Sequence, residues 1–392
     1  MNPVTTPEKQ SSTATQRQNP LLELQTHGQS IWLDYIRRDL LTSGELRRLI
    51  DEDGLRGMTS NPSIFEKAIA GSPDYSTQLD QLIAEGLNAG DIFERIAVKD
   101  IQDAADTLYP VYQSTNKRDG YVSIEVSPTL AHDTQGSIDE ARRLWKAVKR
   151  PNLMVKIPGT PEGVPAVRQL TSEGLNINIT LLFAQEAYIA VAEAYMDGLE
   201  AALKSGKDLS GIASVASFFV SRIDTLVNSQ IDTQLKNPGN SEREQLLRSL
   251  HGKVAIANAK QAYRWYQQMI AGSRWRALAG RGGNSQRLLW ASTSTKNPKY
   301  RDVLYVEELI GPETVNTIPP ATMDAFREHG IVRRTLDADL AAADKTMTDL
   351  EKAGLSMKKI TGQLLDDAIE LFDEAFAKLI GAVEQKIAQK RK

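Results

Sequence analysis

The sequence of 392 residues contains no cysteine and only four histidines. The absence of cysteine excludes disulfide bonds, thiolate nucleophiles and zinc sites built on sulfur, and it is compatible with a reducing cytoplasm. The histidines show no metal-ligand spacing, so we expect no metal and no cofactor. We interpret all four as surface residues: His27, His132, His251 and His329.

Long hydrophobic runs are also missing. No apolar stretch reaches the ~18 residues that a membrane-spanning helix needs, and the N-terminus lacks the apolar segment of a signal peptide. The net charge is −3 and the pI is about 6.0. Bulk charge therefore gives no reason to expect nucleic acid or an anionic membrane as a partner. We expect a cytoplasmic protein.

The polar N-terminal stretch differs in composition from the rest of the chain. Residues 1–19 are rich in Thr, Ser, Gln and Pro, which predicts a flexible tail. We expect residues 20–392 to form a single catalytic domain. Residues around 224–285 have a helical pattern too long for one strand-to-strand connection, which predicts a helical insertion. C-terminal helices are predicted over 322–390, the last from about 360 to 389.

Eight short β-favouring segments alternate with helical segments along the chain. Short apolar strands separated by helices indicate an α/β fold with a parallel sheet, and eight of them indicate a (β/α)8 TIM barrel with extra helices. An open doubly wound sheet is the alternative, but no Gly-rich nucleotide-binding motif follows any strand. The predicted strands are 30–36, 55–59, 121–128, 153–157, 175–180, 212–216, 288–291 and 314–318.

The fourth predicted strand carries a lysine, Lys156, near its carboxyl end. The apolar run around it suits a strand buried on both faces, and a Pro/Gly-rich turn follows at once. A lysine buried there needs partners or loses its proton, and a neutral amine can attack a carbonyl carbon. The alternative is a lysine whose stem packs inside while its ammonium group reaches solvent.

Other polar residues fall at or near the same ends of the predicted strands. Because the active site of such a barrel lies at that face, we expect these residues to converge there. An amine, two carboxylates and small polar groups suit Schiff-base chemistry on a carbonyl substrate. Arg222 and Lys296 are candidates for binding a phosphate. The converging set is Asp34, Asn61, Glu125, Lys156, Asn178, Thr180, Ser217, Ser292 and Lys296.

Three of these residues belong to alternating patterns. Asn176, Asn178 and Thr180 alternate with apolar residues, so they are predicted to share one face of a strand. Glu125 alternates in the same way in the third strand, for which an antiparallel sheet with one wet face is the alternative. Asn61 precedes a proline and is predicted to form a turn, with a helix beginning at Ile64.

Several motifs in the sequence resemble those of transaldolases. The resemblance runs from about residue 24 to the C-terminal helix, and the chain length and the stretch Trp290-Ala291-Ser292 look like the longer bacterial branch of that family. The motifs are Thr59-Ser60-Asn61-Pro62-Ser63, Ile124-Glu125-Val126-Ser127-Pro128, Val155-Lys156-Ile157-Pro158-Gly159-Thr160, Asn176-Ile177-Asn178-Ile179-Thr180-Leu181-Leu182-Phe183 and Ser217-Phe218-Phe219-Val220-Ser221-Arg222.

The resemblance implies an activity and a set of catalytic roles. A dihydroxyacetone unit passes from sedoheptulose 7-phosphate to glyceraldehyde 3-phosphate, giving erythrose 4-phosphate and fructose 6-phosphate in the non-oxidative pentose phosphate pathway. Lys156 matches the Schiff-base lysine, and Asp34 matches the acid that takes the C4 hydroxyl proton. Glu125 and Thr180 match the pair that holds the catalytic water.

The resemblance also implies substrate contacts. Arg222 matches a phosphate-binding arginine. Shorter family members place a second arginine soon after the serine that matches Ser292, and Lys296 is the candidate to replace it here. The remaining matches to donor-sugar contacts are Asn61, Asn178 and Ser217.

Other readings of the sequence stay open. A fructose-6-phosphate aldolase of the same superfamily would release free dihydroxyacetone, but those enzymes are shorter and carry Tyr where this chain has Phe219. We expect Phe219 to lie beside the catalytic water. A decarboxylase would need a different arrangement of acids and bases, and a binding scaffold would not need the catalytic residues. The expected partners are phosphorylated sugars, and the expected state is a monomer or homodimer.

Overall fold

The chain forms a barrel of parallel strands with helices outside it. The computed structural model describes residues 19–390, and of residues 70 and 71 it describes the backbone only. Residues 1–18 of the predicted N-terminal tail therefore lie outside the described residues. Within the described range the strands are β1 Gln29–Asp34, β2 Gly57–Thr59, β3 Tyr121–Glu125, β4 Leu153–Pro158, β5 Ile177–Leu182, β6 Ser214–Phe219, β7 Arg287–Ala291 and β8 Thr314–Ile318.

These eight strands make one closed sheet. Each strand pairs in parallel with the next one along the chain, and β1 pairs with β8 to close the barrel. The predicted (β/α)8 barrel is confirmed, and the open doubly wound sheet is wrong. The register brings strand-end residues side by side: Glu125 pairs with Lys156, and Lys156 pairs with Asn178.

Side chains alternate between the inside and the outside of the barrel. Strands β4 to β8 are buried along their whole length, as expected for parallel strands covered by helices. On β5, Ile177 and Ile179 pack outward under the helices, while Asn178 and Thr180 point into the barrel. The inward set can therefore be polar without weakening the packing between sheet and helices.

Helices surround the barrel. The first are α1 Pro20–Thr26, α2 Arg38–Thr42, α3 Glu45–Asp53, α4 Pro62–Gly71, α5 Ser76–Ala84, α6 Ala89–Ser114, α7 Thr134–Val148, α8 Gly163–Glu173 and α9 Gln185–Lys204. They are followed by α10 Ser221–Gln234, α11 Ser241–Leu250, α12 Val254–Ala271, α13 Ser273–Ala279, α14 Leu304–Glu308, α15 Pro320–His329, α16 Leu340–Lys352 and α17 Met357–Lys390. Over residues 19–390, no helix combines the length and the apolar character needed to cross a membrane.

The amino-terminal end of the barrel is filled by an ion pair and a tryptophan. The side chains of Arg287 and Asp119 are 5% and 7% exposed, and their charged groups lie 2.8 Å apart. Ser30 and the indole nitrogen of Trp32 also donate hydrogen bonds to Asp119, at 2.7 and 3.1 Å. A Cβ at Gly57 would lie 2.5 Å from the indole ring, so only glycine fits there. The indole thus fills the barrel interior between Gly57 and Asp119.

The C-terminal helix α17 lies at the opposite end. It packs against α4, α6 and α10 and reaches β5. Its apolar face carries the predicted spacing, with Leu364, Ile369, Phe372 and Leu379 all buried. Helices α10 to α13 occupy the stretch predicted as an insertion around 224–285, and α15 to α17 occupy the C-terminal stretch of 322–390.

Candidate active site

The carboxyl ends of the strands surround a cavity of about 230 Å³. Two of the predicted site residues lie just behind its wall: Glu125 is next to Lys156, and Asn178 is hydrogen-bonded to Ser217. The other predicted residues line the cavity itself. They are Asp34, Asn61, Lys156, Thr180, Ser217, Phe219, Arg222, Ser292 and Lys296.

Lys156 is the buried amine of this cavity. The residue is 5% exposed, which rules out the alternative in which its ammonium group reaches bulk solvent. Its Nζ donates a hydrogen bond to the backbone carbonyl of Ser60 at 2.9 Å. The Glu125 Oε2 atom lies 3.8 Å from the same nitrogen. One backbone acceptor and one carboxyl group therefore hold the amine at the end of β4.

Glu125 is buried without enough partners to satisfy its charge. Its side chain is 7% exposed, and Oε2 has no hydrogen-bond partner among the described residues. Burial raises the pKa of Glu125 to about 7; the nearby positive charge of Lys156 lowers it and the charge of Asp34 raises it further. Glu125 can thus exchange a proton near neutral pH.

Asp34 faces the cavity from the end of β1. Its Oδ1 accepts a hydrogen bond from Thr59 at 2.7 Å, and the Thr59 hydroxyl lies 2.8 Å from that of Thr317. Burial raises the pKa of Asp34, although the charge of Lys156 and the hydrogen bond from Thr59 act in the opposite direction. A hydroxyl pair from β2 and β8 therefore fixes the orientation of a carboxyl group with raised basicity.

A hydrogen-bond chain crosses the barrel interior below the cavity. Ser217 donates to Asn178 Oδ1 at 2.7 Å, and Asn178 Nδ2 donates to Ser123 at 3.0 Å. All three side chains are buried. These hydrogen bonds fix the Asn178 amide of β5 and the Ser217 hydroxyl of β6 in place. Asn176, by contrast, lies before β5 at the opposite end of the barrel, where its amide donates hydrogen bonds to the carbonyls of Pro151 and Leu153. Of the three polar residues predicted to share one face, only Asn178 and Thr180 therefore belong to the site.

Thr180 stands beside a strained segment of β5. The next residue, Leu181, has a φ of 63°, and the pairing register between β5 and β6 shifts between Ile179 and Leu182. A branched side chain in this left-handed region costs roughly 1–3 kcal/mol. The Thr180 hydroxyl is buried with no partner among the described residues. Strain and an unsatisfied hydroxyl at one place are typical of a functional site.

Two cations stand at the mouth of the cavity. Within residues 19–390 the Arg222 guanidinium has no hydrogen-bond or ion-pair partner and lies over the Phe219 ring, 5.6 Å from its centroid. Burial lowers the pKa of Arg222. Lys296 donates to Ser294 at 2.8 Å, and burial and the charge of Arg222 lower its pKa. The charge of Asp34 acts on Lys296 in the opposite direction, and the two cations together are suited to binding an anion.

Asn61 and Ser292 complete the predicted set. Asn61 caps helix α4, since its side chain accepts a hydrogen bond from the Ile64 amide at 3.0 Å. The helix begins at Pro62 rather than at Ile64, because proline fits the first helical position. Ser292 has a φ of 55° directly after β7, and its hydroxyl lies 3.0 Å from that of Ser221.

The structure adds residues that the sequence reasoning did not assign to the site. Thr59, Ser60 and Ser63 belong to the motif that contains Asn61, at and just after the end of β2, so the sequence could have predicted their position at the site. Phe372 had no such signal, because it lies on α17 and reads as one apolar position of an amphipathic helix. The residues in this group that line the cavity are Thr59, Ser63, Ala291, Ser294, Thr317, Pro319 and Phe372.

Taken together, these groups can bind a phosphorylated carbonyl compound and act on it covalently. The amine of Lys156 is the nucleophile available, two carboxyl groups with raised pKa can transfer protons, and cations mark one end. This layout suits a barrel enzyme that acts on a carbonyl substrate through a lysine amine.

Sequence comparisons identify the family within this class. The chain matches the transaldolase/fructose-6-phosphate aldolase family over residues 31–383, and it belongs to that family. A transaldolase of Trichodesmium erythraeum is 48% identical over 94% of this chain and 98% of its own length. Transaldolases of Thiobacillus denitrificans (45% identity, 91% and 97%) and Frankia alni (42% identity, 95% and 98%) match to a similar extent.

Proposed function

We propose that the protein acts as a transaldolase, a transferase that moves a dihydroxyacetone unit from sedoheptulose 7-phosphate to glyceraldehyde 3-phosphate. The observation that carries this proposal is the buried amine of Lys156 between two carboxyl groups at the base of a polar cavity. The relatives named transaldolase, which match nearly the whole chain, support it. The products are erythrose 4-phosphate and fructose 6-phosphate, as in the non-oxidative pentose phosphate pathway.

The first step is formation of a Schiff base. The Lys156 nitrogen attacks the keto carbon of the donor sugar, and loss of water from the adduct gives an iminium ion. The Ser60 carbonyl, 2.9 Å from Nζ, holds the amine in one orientation as it faces the cavity. Proximity of this kind lowers the barrier because the nucleophile needs no further positioning.

The second step is cleavage of the C3–C4 bond. Asp34 accepts the proton of the C4 hydroxyl, the C4 oxygen forms the carbonyl of the leaving aldehyde, and the bonding electrons move into the iminium to give an enamine. The raised pKa of Asp34 makes it a stronger base than an ordinary aspartate, and Thr59 holds the carboxyl group in place. The enamine then attacks the acceptor aldehyde, and the same proton returns.

Release of the product needs a water molecule at the iminium carbon. Glu125 Oε2 and Thr180 Oγ1 are both buried and both lack a partner among the described residues, which supports a water held between them. Glu125, whose pKa is raised to about 7, is suited to take a proton from that water and later return it. Asn61, Asn178 and Ser217 are proposed to hold the hydroxyl groups of the sugar.

The phosphate of the substrate is proposed to bind Arg222, with Lys296 in the place of a second arginine. The Arg222 guanidinium has no anionic partner within residues 19–390, so a phosphate would supply the missing charge. Ser292 lies on the same side of the cavity. We further propose a single catalytic domain in the cytoplasm, as a monomer or homodimer with no nucleic-acid partner.

A fructose-6-phosphate aldolase is the second candidate, because the family includes both activities. Aldolases of this superfamily resemble the chain but carry tyrosine where this chain has Phe219. The Phe219 ring lines the cavity and cannot hydrogen-bond a water, which favours transfer over release of free dihydroxyacetone. The ratio of dihydroxyacetone release to transfer onto erythrose 4-phosphate separates the two candidates.

Trapping the Schiff base tests the proposed function. The protein is incubated with fructose 6-phosphate, reduced with borohydride and analysed by peptide mass spectrometry. At saturating sugar we expect a dihydroxyacetone-derived or hexose-derived adduct on Lys156 and none in Lys156→Met. In Lys296→Met, which removes the other lysine of the cavity, the adduct should still form on Lys156. An adduct on Lys296, or none in the wild type, would contradict the proposal.

A further inference from the structure

One aromatic ring from the C-terminal helix contributes to the wall of the cavity. Phe372 of α17 lines the same space as Asp34, Asn61 and Lys156, and it is 6% exposed. Among the residues that line this cavity, it is the only one that belongs to α15, α16 or α17. Most of the other lining residues are polar, so the position of a phenyl ring here requires an explanation.

The ring is held in place by helix packing. One turn further along α17, Phe376 packs edge-on against Phe93, with ring centroids 5.7 Å apart, and Phe93 packs in the same way against Phe65. Phe65 belongs to α4, the helix that Asn61 caps at the cavity wall. Phe372 is therefore fixed relative to the helix that carries part of the site, rather than free to leave the cavity.

The position of the ring matters after the C–C bond has broken. The three-carbon unit then remains on Lys156 as an enamine, which has two fates. Its C3 carbon can attack an acceptor aldehyde, which gives transfer. It can instead take a proton derived from solvent; water then adds to the iminium carbon, the C–N bond breaks, and free dihydroxyacetone leaves. The second fate regenerates the amine and consumes only the water that Schiff-base formation released.

We propose that Phe372 shields the enamine on Lys156 from bulk water and so favours transfer over release. The inference rests on the proposed function. A phenyl ring offers no acid or hydrogen-bonding group, so it contributes apolar surface at a place where water would otherwise stand. Phe219 lines the same cavity from β6, and Phe372 does so from α17. Residues from separate parts of the chain thereby keep solvent away from one intermediate.

Replacing the ring tests the inference. In Phe372→Ala we expect the rate of dihydroxyacetone release from fructose 6-phosphate, divided by the rate of transfer to erythrose 4-phosphate, to rise on the order of tenfold, equivalent to about 1.4 kcal/mol between the two barriers. Phe372→Leu keeps an apolar side chain, so its ratio should lie between those of the wild type and Phe372→Ala. In heavy water, Phe372→Ala should also release more singly deuterated dihydroxyacetone, because the carbon that was C3 takes its hydrogen from solvent.

A matched control comes from the same helix. Leu379→Ala removes a fully buried apolar side chain two turns away on α17, which does not line the sugar cavity and takes no part in the aromatic contacts. Its ratio should equal that of the wild type even though its stability falls. An equal rise in both alanine variants, or an unchanged ratio in both Phe372 variants, would overturn the inference while wild-type transfer stays intact. If Phe372→Ala does not fold, Phe372→Leu decides alone. Failure of wild-type transfer would instead overturn the proposed function.

Discussion

At the amino-terminal end of the barrel Asp119 is surrounded by donors, whereas at the carboxyl-terminal end Glu125 has a buried oxygen with no partner. Burial acts to raise the pKa of both. At Asp119 the charge of Arg287 and the hydrogen bonds from Ser30 and Trp32 outweigh burial and lower the pKa. At Glu125 the charge of Lys156 does not outweigh the effect of burial, and the pKa rises to about 7.

The difference shows how the molecule divides stability from chemistry. A buried ion pair with all its hydrogen bonds satisfied keeps one protonation state and holds strands together. A buried carboxyl group with incomplete partners costs stability but can gain and lose a proton near neutral pH. The same barrel therefore places its fixed charges at one end and its exchangeable protons at the other, where barrel enzymes have their active sites.

The largest expected effect is on activity at the carboxyl-terminal end. Lys156→Met should reduce transfer by roughly 10⁴-fold or more, because without the amine no covalent intermediate forms. The matched control is Lys260→Met, which removes a lysine that is also buried, at 6% exposure, and donates to the Ala338 carbonyl outside the cavity. Measured with a coupled assay, Lys260→Met should keep transfer activity. Substantial transfer activity in Lys156→Met would contradict the assignment of the chemistry to this end of the barrel.

The mirror experiment removes charge at the amino-terminal end. Arg287→Met leaves the buried Asp119 carboxylate without its cation, and breaking one partner of a buried pair costs about 3–5 kcal/mol. We expect the midpoint of urea denaturation to fall accordingly, while the activity per folded molecule stays near that of the wild type. A variant with normal stability and lost transfer would show that this end also takes part in catalysis.

Asp34→Asn tests the proton transfer during bond cleavage. Asparagine keeps the size of the side chain and can still accept a hydrogen bond from Thr59, but it cannot take the C4 hydroxyl proton. General base catalysis contributes about 10²–10⁴-fold, so we expect the turnover rate to fall by that range. Borohydride should still trap a hexose adduct on Lys156, since Schiff-base formation precedes cleavage. Near-normal turnover would refute the role.

Arg222→Ala tests the anion site at the mouth of the cavity. A hydrogen bond to a charged group contributes roughly 1.5–3 kcal/mol, so the KM for fructose 6-phosphate should rise about 10-fold to 100-fold, with a smaller change in kcat. The KM for unphosphorylated fructose should change little. Lys296→Ala is expected to give a weaker effect of the same kind. An unchanged KM for the phosphorylated sugar would place the phosphate elsewhere.

The smallest expected effect is a change in pH dependence. Because the pKa of Glu125 is raised to about 7, its carboxylate form is lost as the pH falls through 7, so kcat/KM should decline on the acidic side of neutrality. Glu125→Gln has no such group to titrate and should have a lower rate with a flatter acidic limb. The profile is measured from pH 5 to 9. If the variant kept the same decline of kcat/KM at acidic pH, the titrating group would be one other than Glu125.

The site residues that could be predicted from the sequence are those whose position follows from the pattern of the strand that carries them. The position of Lys156 at the end of a buried apolar run fixes both its burial and the face of the barrel it joins. Glu125 and Thr180 follow from the alternation of inward and outward side chains, and Asp34 follows from its place as an acid within the first apolar run. Their roles came from family resemblance and stay predictions until the variants are measured.

The parts that could not be predicted depend on contacts between distant elements. The hydrogen bond from Lys156 to the Ser60 carbonyl joins residues 96 positions apart and involves a backbone atom that any residue would supply. The left-handed conformation of Leu181 has no sequence signal, because leucine rarely adopts it. Phe372 reads as core, since a periodic apolar pattern does not show which neighbour an amphipathic helix will meet.

The close contact between Gly57 and Trp32 limits how this enzyme can be redesigned. Because the indole occupies the place where any side chain at position 57 would begin, a larger residue at position 57 requires a smaller one at position 32. Trimming Trp32 would also remove a donor from Asp119. Changes at this pair are therefore expected to lower stability, and directed evolution of substrate range should find its useful changes among the residues that line the cavity.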